Sequence, residues 1–220
     1  MSRPDFTLGP TDRVLIVGRT GSGKSTLARV LFYGHRSLVV IDPKHEEILP
    51  RSITVTTPAE FRRVFPQRSS RIVFRPDPED HRATDVDEVI RRVLAYGNTC
   101  LLLHETVDYA TPTRIVPSLR RAIKTGRSLG VPVVACSQRP IGLHNDVIAE
   151  AEHVFVFDLA IEGDREKVAG IVGDGVRERV GRPFEFLYAG PGTSGGVVRC
   201  DPIRLPAVPG AAPPPETEAR

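Results

Sequence analysis

The sequence lacks most features that mark membrane, secreted or metal-scaffold proteins. No stretch approaches the roughly 20 apolar residues that a membrane helix needs, and the first six residues lack the apolar core of a secretory signal. The three cysteines, Cys100, Cys136 and Cys200, lie far apart and show no paired metal-ligand spacing, so we expect buried, reduced thiols. These absences predict a cytoplasmic protein without a membrane segment.

Lysine is also scarce. It occurs at only four positions, 24, 44, 124 and 167, whereas there are 26 arginines. Arginine binds phosphate with two parallel hydrogen bonds, so this bias suits a protein that contacts nucleic acid. A GC-rich genome produces the same bias, and the formal net charge of +3 is modest. Composition therefore permits a nucleic-acid partner without requiring one.

Buried apolar runs alternate with helical patterns along the chain. A length of 220 residues allows one full α/β core. We predict one domain over residues 1–205 and a flexible Pro/Ala-rich tail over residues 206–220. Predicted strands are 14–17, 38–41, 52–56, 71–75, 100–104, 131–137 and 153–158, and predicted helices are 58–64, 85–96, 116–129 and 164–172. This alternation indicates an α/β fold with a mainly parallel central sheet flanked by helices.

The end of the predicted domain has a different pattern. Phe184, Phe186 and Tyr188 alternate, a glycine-rich turn follows over residues 190–196, and a short apolar strand comes next. This pattern predicts a C-terminal antiparallel hairpin at the edge of the sheet.

A glycine-rich loop follows the first predicted strand and precedes the first helical pattern. Residues 18–25 match G-x-x-x-x-G-K-[ST] at every fixed position. Glycines allow backbone N–H groups to converge on phosphates, and the helix directs its positive end at the same place. We expect Lys24 to neutralise the β and γ phosphates and Ser25 to bind Mg²⁺. The predicted ligand is ATP with Mg²⁺, held by Gly18, Arg19, Thr20, Gly21, Ser22, Gly23, Lys24, Ser25 and Thr26.

An apolar strand ending in a carboxylate is the expected source of the hydrolytic base. The run 100–103 leads to His104 and Glu105, and Glu105 is the candidate base that orients water towards the γ phosphate. Most enzymes of this class carry aspartate where this chain has His104, and Mg²⁺ prefers oxygen ligands. Asp42, our candidate metal residue, or Asp108 could compensate. A rival run ends at Asp158, and its position in the sequence predicts an edge strand.

Two further groups are candidates for a hydrolytic site. Gln138 ends a buried strand, where an amide could hydrogen-bond the γ phosphate or the attacking water. If residues 116–129 are helical, Arg120, Lys124 and Arg127 share one face. Such a face could supply an arginine finger to a neighbouring subunit, contact DNA phosphates, or be a solvated basic surface. Arg127 and Arg121 are the finger candidates.

These motifs in this order resemble the FtsK–HerA superfamily of DNA-pumping ATPases. The resembling segments are 18–25, Val-Val-Ile-Asp-Pro-Lys at 39–44, the leucine-rich strand ending at Glu105, and 126–132 leading to Ser-Gln-Arg-Pro at 137–140. More narrowly, the chain looks like the small genome-packaging ATPases of double-stranded DNA viruses with an internal membrane.

The resemblance implies a RecA-like core that assembles as a homo-oligomeric ring, usually a hexamer, with double-stranded DNA in its central channel. It also implies a capsid portal or membrane vertex as partner, with the host cytoplasm and the virion as locations. The expected function is an ATP-hydrolysing double-stranded DNA translocase that packages a viral genome. Alternatives are a plasmid or chromosomal DNA transfer ATPase, a weakly hydrolysing ATP-binding switch suggested by His104, and a small-molecule kinase.

Overall fold

The apolar runs of the sequence form the strands of a central sheet. The computed structural model describes residues 8–68, 70–77, 83–193 and 196–202, and the predicted tail at 206–220 lies outside this part of the chain. In chain order the strands are β1 Arg13–Val17, β2 Leu38–Ile41, β3 Ile53–Val55, β4 Arg71–Phe74, β5 Cys100–Leu103, β6 Ala110–Thr111, β7 Arg114–Ile115, β8 Val133–Ser137, β9 His153–Val156, β10 Phe186–Ala189 and β11 Val198–Cys200. Every residue of β2, β5 and β8 is buried, as expected where helices cover both faces of a sheet.

Nine of these strands form one sheet in the order β11-β10-β9-β1-β8-β5-β2-β4-β3. Neighbouring strands from β9 to β3 run parallel. Strand β10 runs antiparallel to both β9 and β11. The predicted fold class, a mainly parallel sheet with a C-terminal antiparallel pair, is confirmed.

The predicted position of the strand before Asp158 is wrong. Strand β9 is not an edge strand, because it lies between β1 and β10 and pairs with both. The C-terminal antiparallel pair adds outside β9 and converts it into an interior strand. Because β9 pairs in parallel with β1, Asp158 lies beside the glycine-rich loop, where its carbonyl accepts a hydrogen bond from the Arg19 N–H at 2.9 Å.

The helices lie where apolar residues recur at helical spacing. Their bounds are α1 Lys24–Phe32, α2 Pro58–Val64, α3 Ala83–Tyr96, α4 Pro117–Thr125, α5 Asn145–Ala149 and α6 Glu162–Val172. The start of α2 has a capping box, in which Thr57 and Glu60 each accept a hydrogen bond from the other's backbone N–H. Within the described ranges, no helix combines the length and apolar character required to span a bilayer.

The predicted helix over residues 116–129 is too long. Helix α4 ends at Thr125 and a 3₁₀ turn, Gly126–Leu129, follows. The chain folds back so closely here that a Cβ on Gly126 would lie 2.7 Å from the carbonyl oxygen of Val131. Because the helix stops early, Arg127 does not continue the α4 face that carries Arg120 and Lys124.

Two apolar layers enclose the sheet. Helix α1 packs on one face with Leu27, Ala28 and Phe32, while α2 to α6 pack on the other. Side chains of β1 alternate between the layers, since Leu15 belongs to one cluster and Ile16 to the other. Because seven of the strands run parallel, their carboxyl ends meet at one edge of the sheet. Open α/β sheets bind ligands at this edge.

Candidate active site

The glycine-rich loop joins β1 to α1 with a backbone conformation that favours glycine. Gly18, Gly21 and Gly23 have φ angles of 153°, 74° and 115°, a region that residues with a Cβ rarely adopt. A Cβ on Gly18 would also lie 2.5 Å from the Cβ of Phe157. The Gly18 N–H donates to the Ser137 carbonyl at 3.2 Å, which ties the loop to β8. A loop fixed in this way before a helix provides backbone donors for a phosphate group.

Lys24 is buried at the start of α1. Its Nζ donates to the carbonyl of Arg19 at 3.0 Å. Burial lowers the pKa of Lys24, and attraction to Cys136 and Glu105 only partly opposes that shift. The first turn of α1 contains no acidic residue that would satisfy this ammonium group. An anionic ligand in the loop would therefore be a favourable partner for Lys24.

A cleft at the carboxyl edge of the sheet brings together five residues predicted as catalytic or metal-binding. They are Lys24, Ser25, Asp42, Glu105 and Gln138. The predicted loop residues Thr20 and Gly21 line the same cleft, while Ser22 and Gly23 are buried below it and Thr26 is half-buried in α1.

Glu105 is the centre of a short hydrogen-bonded chain. The Gln138 amide donates to Glu105 Oε1 at 2.5 Å, and the Thr20 hydroxyl donates to Gln138 Oε1 at 2.6 Å. Lys44 Nζ lies 2.7 Å from the same Glu105 oxygen. Glu105 itself has φ 48° and ψ 52°, a left-handed conformation that a non-glycine residue adopts at a cost. This geometry links the glycine-rich loop, the end of β8 and the end of β5 through side chains.

His104 is paired with a carboxylate from elsewhere in the chain. Its Nε2 lies 2.7 Å from Glu47 Oε2, and both side chains are almost fully buried. Burial alone would lower the pKa of His104, but the Cys136 thiol and the Glu47 carboxylate beside it raise it to about 10. Burial alone would raise the pKa of Glu47, but hydrogen bonds from His104 and Tyr33 hold it at about 2. This upward shift of the pKa of His104 favours its charged form over the neutral imidazole that binds metal ions.

Asp42 is held by protein groups at the end of β2. One oxygen accepts the Glu46 N–H at 3.3 Å, and the other accepts the Glu47 N–H at 2.9 Å and the Arg75 Nε at 3.2 Å. These bonds shape the turn that carries Lys44 and Glu47 into the cleft. Asp42 thus positions the turn, and its predicted role as a metal residue stays a prediction.

Sequence reasoning did not assign a role to four charged residues of the cleft. Arg29, Lys44, Glu46 and Glu47 line it together with the predicted groups. Arg29 Nε pairs with Glu47 Oε1 at 2.8 Å. The only local signal was the Asp-Pro-Lys turn after β2, which gives no indication that Glu47 reaches His104.

The candidate arginine fingers lie away from this cleft. Arg127 pairs with Glu152 at 3.1 Å, and the Glu152 N–H donates to the carbonyl of Arg13 at the start of β1. Arg121 is exposed on α4. The structure therefore does not bring Arg127 to the Glu105 of its own chain.

Comparison with known proteins finds similarity to viral packaging enzymes both in sequence and in fold. No family model matches the chain. The DNA packaging ATPase P9 of Enterobacteria phage PRD1 is 28% identical over 170 residues, which cover 74% of this chain and 72% of that protein. The genome packaging NTPase B204 of Sulfolobus turreted icosahedral virus 2, solved with AMPPCP, aligns with a TM-score of 0.70 at 19% identity, covering 89% of this chain and 100% of that one.

A protein of a different system has a related fold. VirB4 of Thermoanaerobacter pseudethanolicus aligns with a TM-score of 0.59 at 12% identity, over 88% of this chain and 90% of that structure. The resemblance that the motifs indicate is confirmed: in sequence and in fold, this chain is similar to the viral DNA-packaging ATPases.

Proposed function

We propose that the chain is an ATPase that drives double-stranded DNA into a viral capsid. The observation that carries the proposal is the side-chain link from Thr20 in the phosphate loop through Gln138 to Glu105. It places a carboxylate and an amide beside the loop that would hold the γ phosphate. Similarity to the packaging ATPase of phage PRD1 supplies the DNA-packaging part of the proposal.

The loop residues fit a nucleotide with Mg²⁺. A Cβ on Gly21 would meet no atom within 4 Å, and the buried Ser22 hydroxyl oxygen has no hydrogen-bond partner within the described part of the chain. In this proposal Lys24 binds the β and γ phosphates, and Ser25 holds Mg²⁺, with Asp42 nearby. When bound, Mg²⁺ neutralises phosphate charge.

The chain's own residues then perform three tasks during hydrolysis. Glu105 orients the attacking water and accepts its proton, which requires that the carboxylate leave its pairing with Lys44. Gln138 holds Glu105 through its amide N–H and binds the Thr20 hydroxyl through its oxygen, so a γ phosphate in the loop would change the position of Glu105 through Gln138. Lys44, released from Glu105, remains in the cleft as a second ammonium group close to Lys24. The acid–base residue and the phosphate-binding residues are thereby coupled.

Assembly and partners extend the proposal. A homo-oligomeric ring, with a hexamer favoured, would place Arg127 or Arg121 of one subunit at the nucleotide of the next. Double-stranded DNA would pass through the centre, and a capsid portal or membrane vertex would receive it. Such a motor works in the host cytoplasm or on the virion.

The test compares ATP hydrolysis by the wild type and Glu105→Gln, with and without double-stranded DNA. We expect DNA to stimulate phosphate release by the wild type. Glu105→Gln should lower the rate at least about 100-fold, because a positioned base contributes that much, while ATP still binds. The matched control is Glu88→Gln, which removes a surface carboxylate paired with Arg62 and should keep the wild-type rate. Wild-type turnover by Glu105→Gln would contradict the assignment of the base.

The His104–Glu47 pair motivates a second candidate function. A buried imidazolium in place of the usual aspartate is compatible with a switch that binds ATP and hydrolyses it poorly. In that case the wild type would bind ATP but release phosphate only slowly, and DNA would not increase the rate. The same measurement therefore separates the motor from the switch.

A further inference from the structure

The sheet order defines the side on which the nucleoside part of ATP must lie. Strand β1 leads to the phosphate loop and has β8 on one side and β9 on the other. The candidate hydrolytic residues, Gln138 and Glu105, follow β8 and β5 and so lie on the β8 side. If the γ phosphate points to them, the α phosphate and nucleoside leave the loop towards β9 and β10. This step rests on the proposed function.

An aromatic ring covers the loop on the β9 side. A Cβ on Gly23 would lie 2.8 Å from Cδ1 of Phe184, so the ring packs directly against the residue before Lys24. Phe184 ends the turn that leads into β10, and the Glu185 N–H closes this turn on the carbonyl of Arg182 at 3.3 Å. The C-terminal strands therefore hold this ring beside the phosphate loop.

Phe184 differs from the other aromatic residues of this region. Phe186 and Tyr188 are at most 4% exposed and pack against Phe155, whereas Phe184 is 40% exposed. Its φ of 62° is an outlier for a bulky residue, because a Cβ crowds the backbone there. An exposed ring held in a strained turn against the glycine-rich loop is positioned to contact a ligand bound there.

We propose that Phe184 stacks on the nucleobase of ATP and forms the base subsite of the cleft. A flat aromatic face is the usual way to bind a base without a sequence-specific hydrogen bond. The subsite would lie next to the charged group formed by Asp158 with Arg19 at 3.0 Å and Arg179 at 3.0 Å. Those arginines are more than half exposed and border the same side of the loop, so they frame the region between the phosphates and the ring.

The first test separates base binding from phosphate binding. Affinities for ATP and for inorganic tripolyphosphate, each with Mg²⁺, are measured on the full chain carrying Phe184→Ala or Phe184→Leu. We expect both variants to bind ATP about tenfold more weakly, the size of one lost stacking contact. Tripolyphosphate, which has no base, should bind with unchanged affinity. Phe184→Leu keeps an apolar side chain packed against Gly23. It should therefore preserve the loop conformation and allow the test even if Phe184→Ala fails to fold.

Tyr96→Ala is the matched control. Tyr96 is 52% exposed and lies by Ser37 and Asn98, at the amino ends of β2 and β5. Its removal should leave the affinity for both ligands unchanged. Equal losses for ATP and tripolyphosphate in the Phe184 variants would overturn the proposal, since the ring would then act only through loop structure. Unchanged ATP affinity would overturn it as well.

The second test uses the absence of tryptophan from the sequence. Phe184→Trp introduces a single tryptophan at the proposed subsite and keeps a stacking face, and excitation at about 295 nm avoids the four tyrosines. ATP should quench its emission and tripolyphosphate should not. Saturating ATP without any quenching would contradict stacking. If the wild type binds neither ATP nor tripolyphosphate, the proposed function fails. If the wild type binds ATP and the Phe184 variants bind it equally well, only the proposed base subsite fails.

Discussion

At the scale of single residues, the buried pair of His104 and Glu47 explains how the chain tolerates histidine beside its candidate base. An imidazolium enclosed by protein needs a carboxylate, and Glu47 supplies one at 2.7 Å. Because the pKa of His104 is raised to about 10, its stabilising contribution is complete below its ordinary pKa and is lost as the pH rises through about 10. Because the pKa of Glu47 is lowered to about 2, its contribution is lost only as the pH falls through that value.

Removing one partner of this pair should destabilise the fold strongly. Glu47→Gln removes the carboxylate that pairs with both His104 and Arg29, so we expect the free energy of unfolding to fall by about 3 kcal/mol. Urea denaturation at neutral pH measures the change. The control is the double variant with His104→Gln, which removes both charges and should lose less stability than the single variant. A single variant within about 0.5 kcal/mol of the wild type would contradict the buried ion pair.

The same pair marks a limit of prediction from sequence. The phosphate-loop residues could be predicted because their spacing is local and their chemistry depends on that spacing. Glu105 and Gln138 could be predicted because each ends a buried apolar run. The positions of Glu47 beside His104 and of Phe184 beside Gly23 could not be predicted, since these contacts join residues that are distant in the chain and follow no periodic pattern.

At the scale of elements, strands were easier to predict than helix ends. A run of buried apolar residues has few alternatives to a strand in a covered sheet, and β1, β2 and β5 lie where such runs occur. The end of α4 could not be predicted, because it is set by the close approach of Gly126 to the Val131 carbonyl across a turn. The interior position of β9 could not be predicted from local sequence patterns either, because it depends on which strand the C-terminal pair joins.

Two glycine-to-alanine substitutions should therefore have opposite effects on stability. At Gly126 the added methyl meets a backbone oxygen at 2.7 Å, so Gly126→Ala should lower the free energy of unfolding by about 1–3 kcal/mol. Gly170 lies in α6 with no atom within 4 Å of an added Cβ, so Gly170→Ala should raise it by about 0.5–1 kcal/mol. Thermal and urea unfolding of both variants measure the difference. Equal stability of the two would show that the close approach at Gly126 does not set the end of α4.

At the scale of the whole molecule, the candidate site and the candidate arginine finger lie at opposite edges of the sheet. Glu105 follows the carboxyl end of β5, whereas Arg127 pairs with Glu152 near the start of β1. A strand of five residues, such as β1, is about 16 Å long. No side chain spans that distance, so Arg127 can act on a bound nucleotide only from a second copy of the chain.

Mixing two inactive variants tests this arrangement. Arg127→Ala keeps Glu105, and Glu105→Gln keeps Arg127, so a contact between the two restores one complete site if the arginine acts across subunits. Each variant alone should be at least about 100-fold slower than the wild type, because a base or a finger contributes at least that much. In an equal mixture about one interface in four has the productive order, so up to a quarter of the wild-type rate should return.

The control replaces Glu105→Gln with the double variant that also carries Arg127→Ala, which offers no finger and should restore nothing. If the mixture stays inactive while Arg121→Ala, mixed in the same way, recovers, the finger is Arg121. If neither mixture recovers, neither arginine acts as a finger between subunits.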